Sequence, residues 1–434
     1  MRRRAALAAV LALAAAGVAL ANGTAQPDSV AFFADATQAD DFAMNTTFGF
    51  LFSQDAGASW EWTCHEAVIG AVYTPGATRA PDGAFYVTTP LALGIDPTLT
   101  LYRTADNGCT WTGTESLRNR VVRSLAFRPG DDTTVIAVGG SSGGLAVAWR
   151  SSDGGLTFGS PLLEVPEYVF TTVHYAPSDP QRVYIASLKQ TLPQNSAVLY
   201  RSDDGGTGWT PLSFPFVDQN PIRVLAVDPV DADIVWVRND AATDRVFRST
   251  NGGVSFALAH SIVGTDVLGM ALTESGATRW LAVQRTNGVL LATEAAPLFS
   301  AIPGSPIARC VEAEGDTVYV CSHPYQDPYA AAFTDDGGAT FDSAMTFQRI
   351  TGPVTGCPAG TSHRTICEPL WPQVRQNLGL DGPTPSPTPK NGADGDTGCS
   401  CSLLPSGDHP SVFVGPALVA SAVLALAFRK RACL

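Results

Sequence analysis

Three kinds of chemistry are worth seeking in this sequence: nucleophilic attack, hydrolysis by paired carboxylates, and anion capture. Gly140-Ser141-Ser142-Gly143-Gly144 has the G-x-S-x-G spacing of a nucleophile elbow, a device that needs a strand, a sharp turn and then a helix. Residues 133–138 read as a strand, but 145–150 read as another strand, so the phrase is a hairpin loop and Ser142 is not assigned as a nucleophile. The six histidines (His65, His174, His260, His323, His363, His409) form no spaced motif. Nine cysteines include no CxxC pair and no Cys/His cluster with zinc spacing. No cofactor and no metal centre are therefore expected, and a structural Ca²⁺ at an Asp-rich loop is the one ion the composition leaves room for. The 40 acidic residues supply many candidates for a two-carboxylate glycosidase and single out none, so no catalytic residue is assigned. Anion capture has named candidates: Arg123 in VVRSLAF, Arg223 in PIRVLAV and Arg309 in IARCVEA. Each guanidinium is a planar donor fork suited to a carboxylate or sulfate.

These arginines sit in a chain built from repeats. One phrase recurs: small hydroxyl, x, Asp, x, Gly, x, Ser/Thr, aromatic. It appears as SQDAGASW from Ser53, TADNGCTW from Thr104, SSDGGLTF from Ser151, SDDGGTGW from Ser202, STNGGVSF from Ser249 and TDDGGATF from Thr334. A worn copy, ATEAAPLF from Ala292, falls where one is missing. The third positions are Asp55, Asp106, Asp153, Asp204, Asn251, Glu294 and Asp336, spaced 42 to 51 residues apart. Asp or Asn there bonds backbone N–H groups further along a tight turn, and the glycine permits positive φ. Between phrases the text alternates as strands, for example IRVLAVD from Ile222 and DIVWV from Asp233 around a Pro/Asp turn. Units of this length with four short strands each predict an all-β, seven-bladed propeller over residues 28–350. In it Arg123, Arg223 and Arg309 begin the innermost strands of blades 3, 5 and 7, towards the mouth of the channel.

The phrase resembles the Asp-box, or BNR, repeat, matching it closely in five copies; Gly208 replaces the hydroxyl in the fourth. The resemblance implies a structural hairpin turn on the outer part of a blade. Such repeats occur in sialidases, xyloglucan-degrading enzymes, sortilin-like receptors and photosystem II assembly factors, so fold alone leaves function open. The Arg-Ile-Pro phrase of bacterial sialidases is absent: Pro221-Ile222-Arg223 runs backwards, and Arg349-Ile350-Thr351 lacks the proline. No Tyr nucleophile paired with an acid stands out.

The ends carry address labels. Arg2, Arg3 and Arg4 precede an apolar run, residues 5–20, and Ala19-Leu20-Ala21 offers the small residues of a signal-peptidase site, making 1–21 a secretory signal. Residues 381–398 form a Pro/Thr- and Gly/Asp-rich linker. Cys399-Ser400-Cys401 follows, then an 18-residue apolar stretch, 411–428, and Arg429-Lys430-Arg431. That stretch approaches the roughly 20 residues a bilayer-spanning helix needs, and the basic cluster places the upstream chain outside. The order resembles C-terminal sorting signals of the MYXO-CTERM type, which implies processing near Cys399 or Cys401 by a sorting protease.

Exported cysteines imply disulfides. Cys310 and Cys321 flank a hairpin turning at Gly315-Asp316 and fall opposite each other. Cys357 and Cys367 bracket nine residues just after the ring and read as the staple of a small cap, 351–380. Cys64 and Cys109 are candidates for a bridge between the first two blades, and the partners of these two and of Cys433 stay open.

Composition agrees with this reading. In 434 residues there are 41 Gly and 31 Pro, 45% hydrophobic residues, and a net charge of −13. An acidic chain lacks the basic footprint of a nucleic-acid binder. The expectation is a monomeric, cell-surface-anchored binding module for a glycan, peptide or envelope protein, with an extracellular glycoside hydrolase as the alternative. N-terminal sequencing of the exported protein should begin at Asn22; a start at Met1 would show that the leader is retained.

Overall fold

The computed structural model describes residues 27–34, 40–69, 74–90, 92–141, 144–189, 197–214, 220–241, 243–293 and 296–381. The leader with Ala21, the linker, Cys399, Cys401, Cys433, the apolar stretch 411–428, His409, Ser142 and Glu294 lie outside the described residues. Among the described residues no helix is long and apolar enough to cross a membrane.

Seven sheets follow one another along the chain, each with four antiparallel strands in chain order. They are blade 1 (29–63), blade 2 (76–113), blade 3 (120–166), blade 4 (168–213), blade 5 (222–263), blade 6 (267–301) and blade 7 (308–345). The first strand of each blade is innermost, and from blade 3 to blade 7 these strands pack on one another in turn; Ala308–Glu314 of blade 7 meets Ser29–Ala34 of blade 1, which closes a seven-bladed propeller.

Strand alternation explains how sheets become a ring. Successive side chains of a strand point to opposite faces. In the second strand of blade 3, Val135 and Ala137 join the apolar cluster shared with blade 2, while Ile136 and Val138 join the one shared with blade 4. Buried on both faces, these middle strands read as continuous apolar runs rather than alternating ones. Among the described residues the core is divided into seven such clusters, one per blade interface.

The recurring phrase forms the turn between the third and fourth strands. In blade 3, Ser151 Oγ donates to Asp153 Oδ1 (2.6 Å) and accepts from Gly155 N (2.8 Å), and Asp153 accepts from Thr157 N (2.9 Å) and Thr157 Oγ1 (2.5 Å). The same bonds recur in blades 1, 2 and 7. Asn251 gives a close equivalent in blade 5, and in blade 4 Asp204 accepts from Gly208 N and Thr207 N instead. Hydrogen bonds from Thr340 hold the Asp336 carboxyl down to about 2, so it stays charged. The two central residues of the turn both have positive φ, 70° and 86° at Gly154 and Gly155. Ala56 and Asn107 occupy the first of these positions at φ 54°.

The second glycine is needed twice over. A Cβ on it would strike the preceding blade: Ile136 at 3.0 Å from Gly206, Leu199 at 2.6 Å from Gly253, Ile302 at 2.7 Å from Gly338. A carbonyl of the turn also accepts from the preceding blade. Tyr86 Oη donates to Gly154 O, Arg150 to Gly205 O, Arg201 Nη1 to Gly252 O (3.1 Å) and Thr63 Oγ1 to Gly108 O (3.3 Å).

The C-terminal part differs from the sequence expectation. Ile350–Pro353 is not part of a separate cap; it adds a fifth strand to blade 1, parallel to Trp60–Thr63. Cys357 and Cys367 do not bond each other, and neither do Cys64 and Cys109: the bridges are Cys64–Cys367 and Cys109–Cys357. The physical reason is the path of the chain. The segment runs along the outer edge of blade 1, so each cap cysteine meets a blade cysteine before its sequence neighbour. A π-helical turn, His363–Cys367, then leads into the helix Glu368–Asn377, whose Trp371 packs on Trp62 at 5.4 Å. Cys310 and Cys321 pair across their hairpin, with an S–S distance of 2.05 Å.

Adjacent glycines test the turn. Gly337 and Gly338 both have positive φ, but a Cβ on Gly337 meets open space. Gly337→Ala is expected to cost about 1 kcal/mol for the backbone alone, and Gly338→Ala roughly 3 kcal/mol once overpacking is added. Urea unfolding of both variants measures the difference; equal losses would show that the blade contact is unimportant.

Candidate functional site

Inner strands meet the channel mouth at a bulge. In blade 3, Val122 pairs with Gly139 and Ser124 with Val138, so Arg123 is left out of the ladder. Such an extra residue re-aims a side chain. Gly139 makes the bulge feasible, because a Cβ there would sit 1.7 Å from Val121 O. Counting from the turn's Ser/Thr, the same skip occurs at Val30 in blade 1, Thr171 in blade 4, Leu268 in blade 6 and Arg309 in blade 7.

Arg223 departs from this pattern. It pairs with Arg238, and the skip in blade 5 comes later, at Leu225. Its structural counterpart in blade 3 is Ser124, one residue away from the equivalence the local sequence implied. Even so, Arg123 and Arg223 line one cavity of about 400 Å³. Blade 2 contributes Thr88, Thr89 and Pro90 to it, and Thr171 stands between the arginines. Arg309 is not brought there; its Nε is held by Asp28 Oδ2 at 2.7 Å.

The wall is rich in donors. Arg223 gives its Nε to Asp240 Oδ2 (3.0 Å), and Asp240 is shared with Arg238 Nε (2.8 Å). Among the described residues that leaves both terminal nitrogens of Arg223 uncommitted. Thr171 Oγ1 is spent on backbone carbonyls, Ile222 O at 2.6 Å and Ala186 O at 3.1 Å. Thr89 is different: only 2% exposed, it has a buried Oγ1 with no partner among the described residues. Buried hydroxyls normally find a partner; this one belongs to a residue of the same wall that holds the two arginines. The arrangement suits an anion with planar or tetrahedral oxygens.

Other titratable groups line the inner wall further along. His174 and Glu312 take equivalent places in blades 4 and 7, opposite Tyr184 and Tyr319. Burial pushes the His174 imidazole down to about 4. Glu312 is reached by water, yet the enclosing wall and then Glu314 push its carboxyl up to about 7. Among the described residues, no group of His, Cys, Asp and Glu is placed to hold a metal ion.

Thr89 and Thr171 carry no motif, which is why sequence reading passes over them. The mark visible beforehand is the doublet Gly139-Gly140, where the chain admits a bulge; which side chain the bulge re-aims follows only from pairing.

No family model matches the chain, and no curated protein matches it. Among solved structures it is similar to an ancestral GH74 enzyme (15% identity, TM-score 0.40), with 74% of this chain and 39% of that one covered. It is also similar to a GH74 xyloglucanase from Xanthomonas campestris (14%, 0.35; 71% and 63% covered). A third is YCF48 from Cyanidioschyzon merolae (13%, 0.47; 68% and 92% covered). The chain thus spans less than two thirds of either GH74 enzyme. At these identities the likeness concerns fold alone.

Thr89→Val keeps the shape and removes the unmatched hydroxyl. It is expected to raise the unfolding free energy by about 1 kcal/mol, read from urea denaturation; a loss of that size would mean the hydroxyl has a partner in the folded protein.

Proposed function

We propose that this chain is an exported Asp-box propeller, anchored at the cell surface through its C-terminal segment, that binds a carboxylate- or sulfate-bearing extracellular ligand at the mouth of the ring. Its most fitting partner is an acidic glycan, with an acidic peptide of the envelope as the protein counterpart. The observation that carries this reading is the convergence of Arg123 and Arg223 on one cavity, whose wall also holds Thr89, a residue with a buried hydroxyl and no partner for it among the described residues. Nothing in this role calls for a cofactor, and the acidic surface argues against nucleic acid as a ligand. The turns act as structure rather than as site, and one ring suffices for binding, so a monomer is the working unit. Processing at Ala21 and near Cys399 or Cys401 delivers the ring to the surface in this scheme.

One observation favours a second reading, an extracellular glycoside hydrolase. Glu312 lies on the inner wall, where desolvation and then Glu314 push its carboxyl up to about 7, the direction a general acid needs.

Native mass spectrometry of the secreted ring with a library of acidic and neutral oligosaccharides separates the two. The binding role predicts intact adducts with the acidic members, weakened by about 10- to 100-fold in Arg223→Ala, the worth of one charged hydrogen-bond pair. Shorter products, lost in Glu312→Gln, would replace this reading with the hydrolase. Adducts indifferent to Arg223 would contradict the site.

A further inference from the structure

The aromatic side chains of this chain are folded inward, with one exception. Among the described residues Tyr325 alone is exposed, at 43%. It lies on the loop 323–329, which joins the second and third strands of blade 7, Thr317–Ser322 and Ala331–Thr334. Ser322, where the loop begins, pairs with Ala308, next to the skipped Arg309. The loop therefore leaves the sheet at the mouth, the same end of the ring as the arginine-lined cavity.

The loop is held in place. His323 O accepts from Gln326 N at 3.0 Å and from Asp327 N at 2.9 Å, and His323 N donates to Ile307 O at 3.2 Å. Ser322 Oγ donates to Tyr329 O at 2.6 Å, and Pro324 and Pro328 fix φ on either side of the tyrosine. The tyrosine meets the His323 ring edge-on, at 6.1 Å and 71°, its one aromatic contact among the described residues. Its surroundings present little net charge. Asp327 is turned inward, 3% exposed, with Oδ2 accepting from Ile307 N at 2.8 Å. Asp28 is matched by Arg309 at 2.7 Å, and the exposed neighbours Gln326 and Pro328 are neutral. Burial and then the Asp28 carboxylate push the Tyr325 phenol above its ordinary range, which keeps the ring itself uncharged.

We infer that Tyr325 is the stacking platform of a neutral-sugar subsite at the mouth, for a pyranose of the glucose configuration. Such a ring carries its hydroxyls equatorially and so presents apolar C–H faces, which suit a flat aromatic surface with a polar tip. Because the loop is already ordered, little freedom is lost when the sugar lands on it. This rests on the reading of the mouth as a glycan site and extends it: acidic units go to the arginine-lined cavity and neutral ones to Tyr325.

Saturation-transfer NMR on the secreted protein tests this with two probes, cellotetraose (neutral) and tetragalacturonate (acidic). Cellotetraose is expected to receive transfer from the parent protein, at least about fivefold less from Tyr325→Ala, and within about twofold of the parent from Tyr325→Phe, which keeps the ring. Arg223→Ala should leave the cellotetraose signal unchanged and diminish that of tetragalacturonate, so the anion cavity is read by a different probe and its failure is told apart. Equal cellotetraose signals from parent and Tyr325→Ala would overturn the proposal, as would no signal at millimolar probe. A loss in Tyr325→Phe as large as in Tyr325→Ala would also overturn it, by showing that the hydroxyl and not the ring is used.

Discussion

Blade 1 takes its four antiparallel strands from residues 29–63 and blade 7 takes its four from residues 308–345, so no antiparallel set of four mixes strands from the two ends of the ring. The seam between them has to be held by other means. Side chains do part of this: Phe32 stacks on Tyr319 at 4.6 Å, Ser29 Oγ donates to Ala330 O at 2.7 Å, and Arg309 pairs with Asp28. The rest falls to the segment after the ring. Arg349 Nη1 reaches both Gly57 O in blade 1 and Ala344 O in blade 7, each at 3.1 Å. Ile350–Pro353 then joins the sheet of blade 1, and two disulfides pin the following residues to blades 1 and 2 across sequence separations of 303 and 248. Cross-links that close such long loops remove a large share of the unfolded chain's freedom. The arginine at the seam is thereby a structural group, which is why Arg309 does not join Arg123 and Arg223.

Within the ring the same problem recurs at every interface and has one repeated answer. The turn after the third strand lays its glycine on the preceding blade, and in blades 2 to 5 a carbonyl of that turn accepts a bond from the same blade. Blade 6 lacks the phrase, and its inner edge is held differently. Asp244, 1% exposed in blade 5, accepts from Val267 N at 2.9 Å and pairs with Arg238 Nη2 at 2.7 Å, while Arg238 also donates to Val267 O. A buried ion pair and its bonds to the Val267 backbone hold this edge. The cavity at the mouth depends on this rigidity, because it is walled by several blades and would lose its shape if neighbouring blades slid.

Much of this is legible in the sequence. The phrase beginning at Ser151 shows its hydroxyl, acid and glycine in fixed order, and each has a local job that needs no knowledge of the rest of the chain. Strands around it follow from alternation; Ile222–Val227 and Val235–Asn239 lie within two residues of their expected bounds. What escaped depends on the path of the chain in three dimensions. Cys357 and Cys367 look like local partners because they are close in sequence, yet a strand and a helical turn carry them to different blades. Arg123, Arg223 and Arg309 look equivalent by their neighbours, but a bulge placed two residues later shifts Arg223 and an ion pair removes Arg309. Thr89 is invisible in sequence, since what distinguishes it is a buried hydroxyl with no partner among the described residues.

The claim on which the rest stands is that the C-terminal segment clasps the ring shut. Hydrogen exchange, read by mass spectrometry on the protein and on a Cys64→Ser, Cys109→Ser double variant, tests it most directly. The clasp predicts faster exchange in the inner strands Ser29–Ala34 and Ala308–Glu314 of the variant, with Tyr168–Ala176 and Ile222–Val227 on the far side left protected. Unchanged protection at the seam, or an equal rise in all blades, would contradict it.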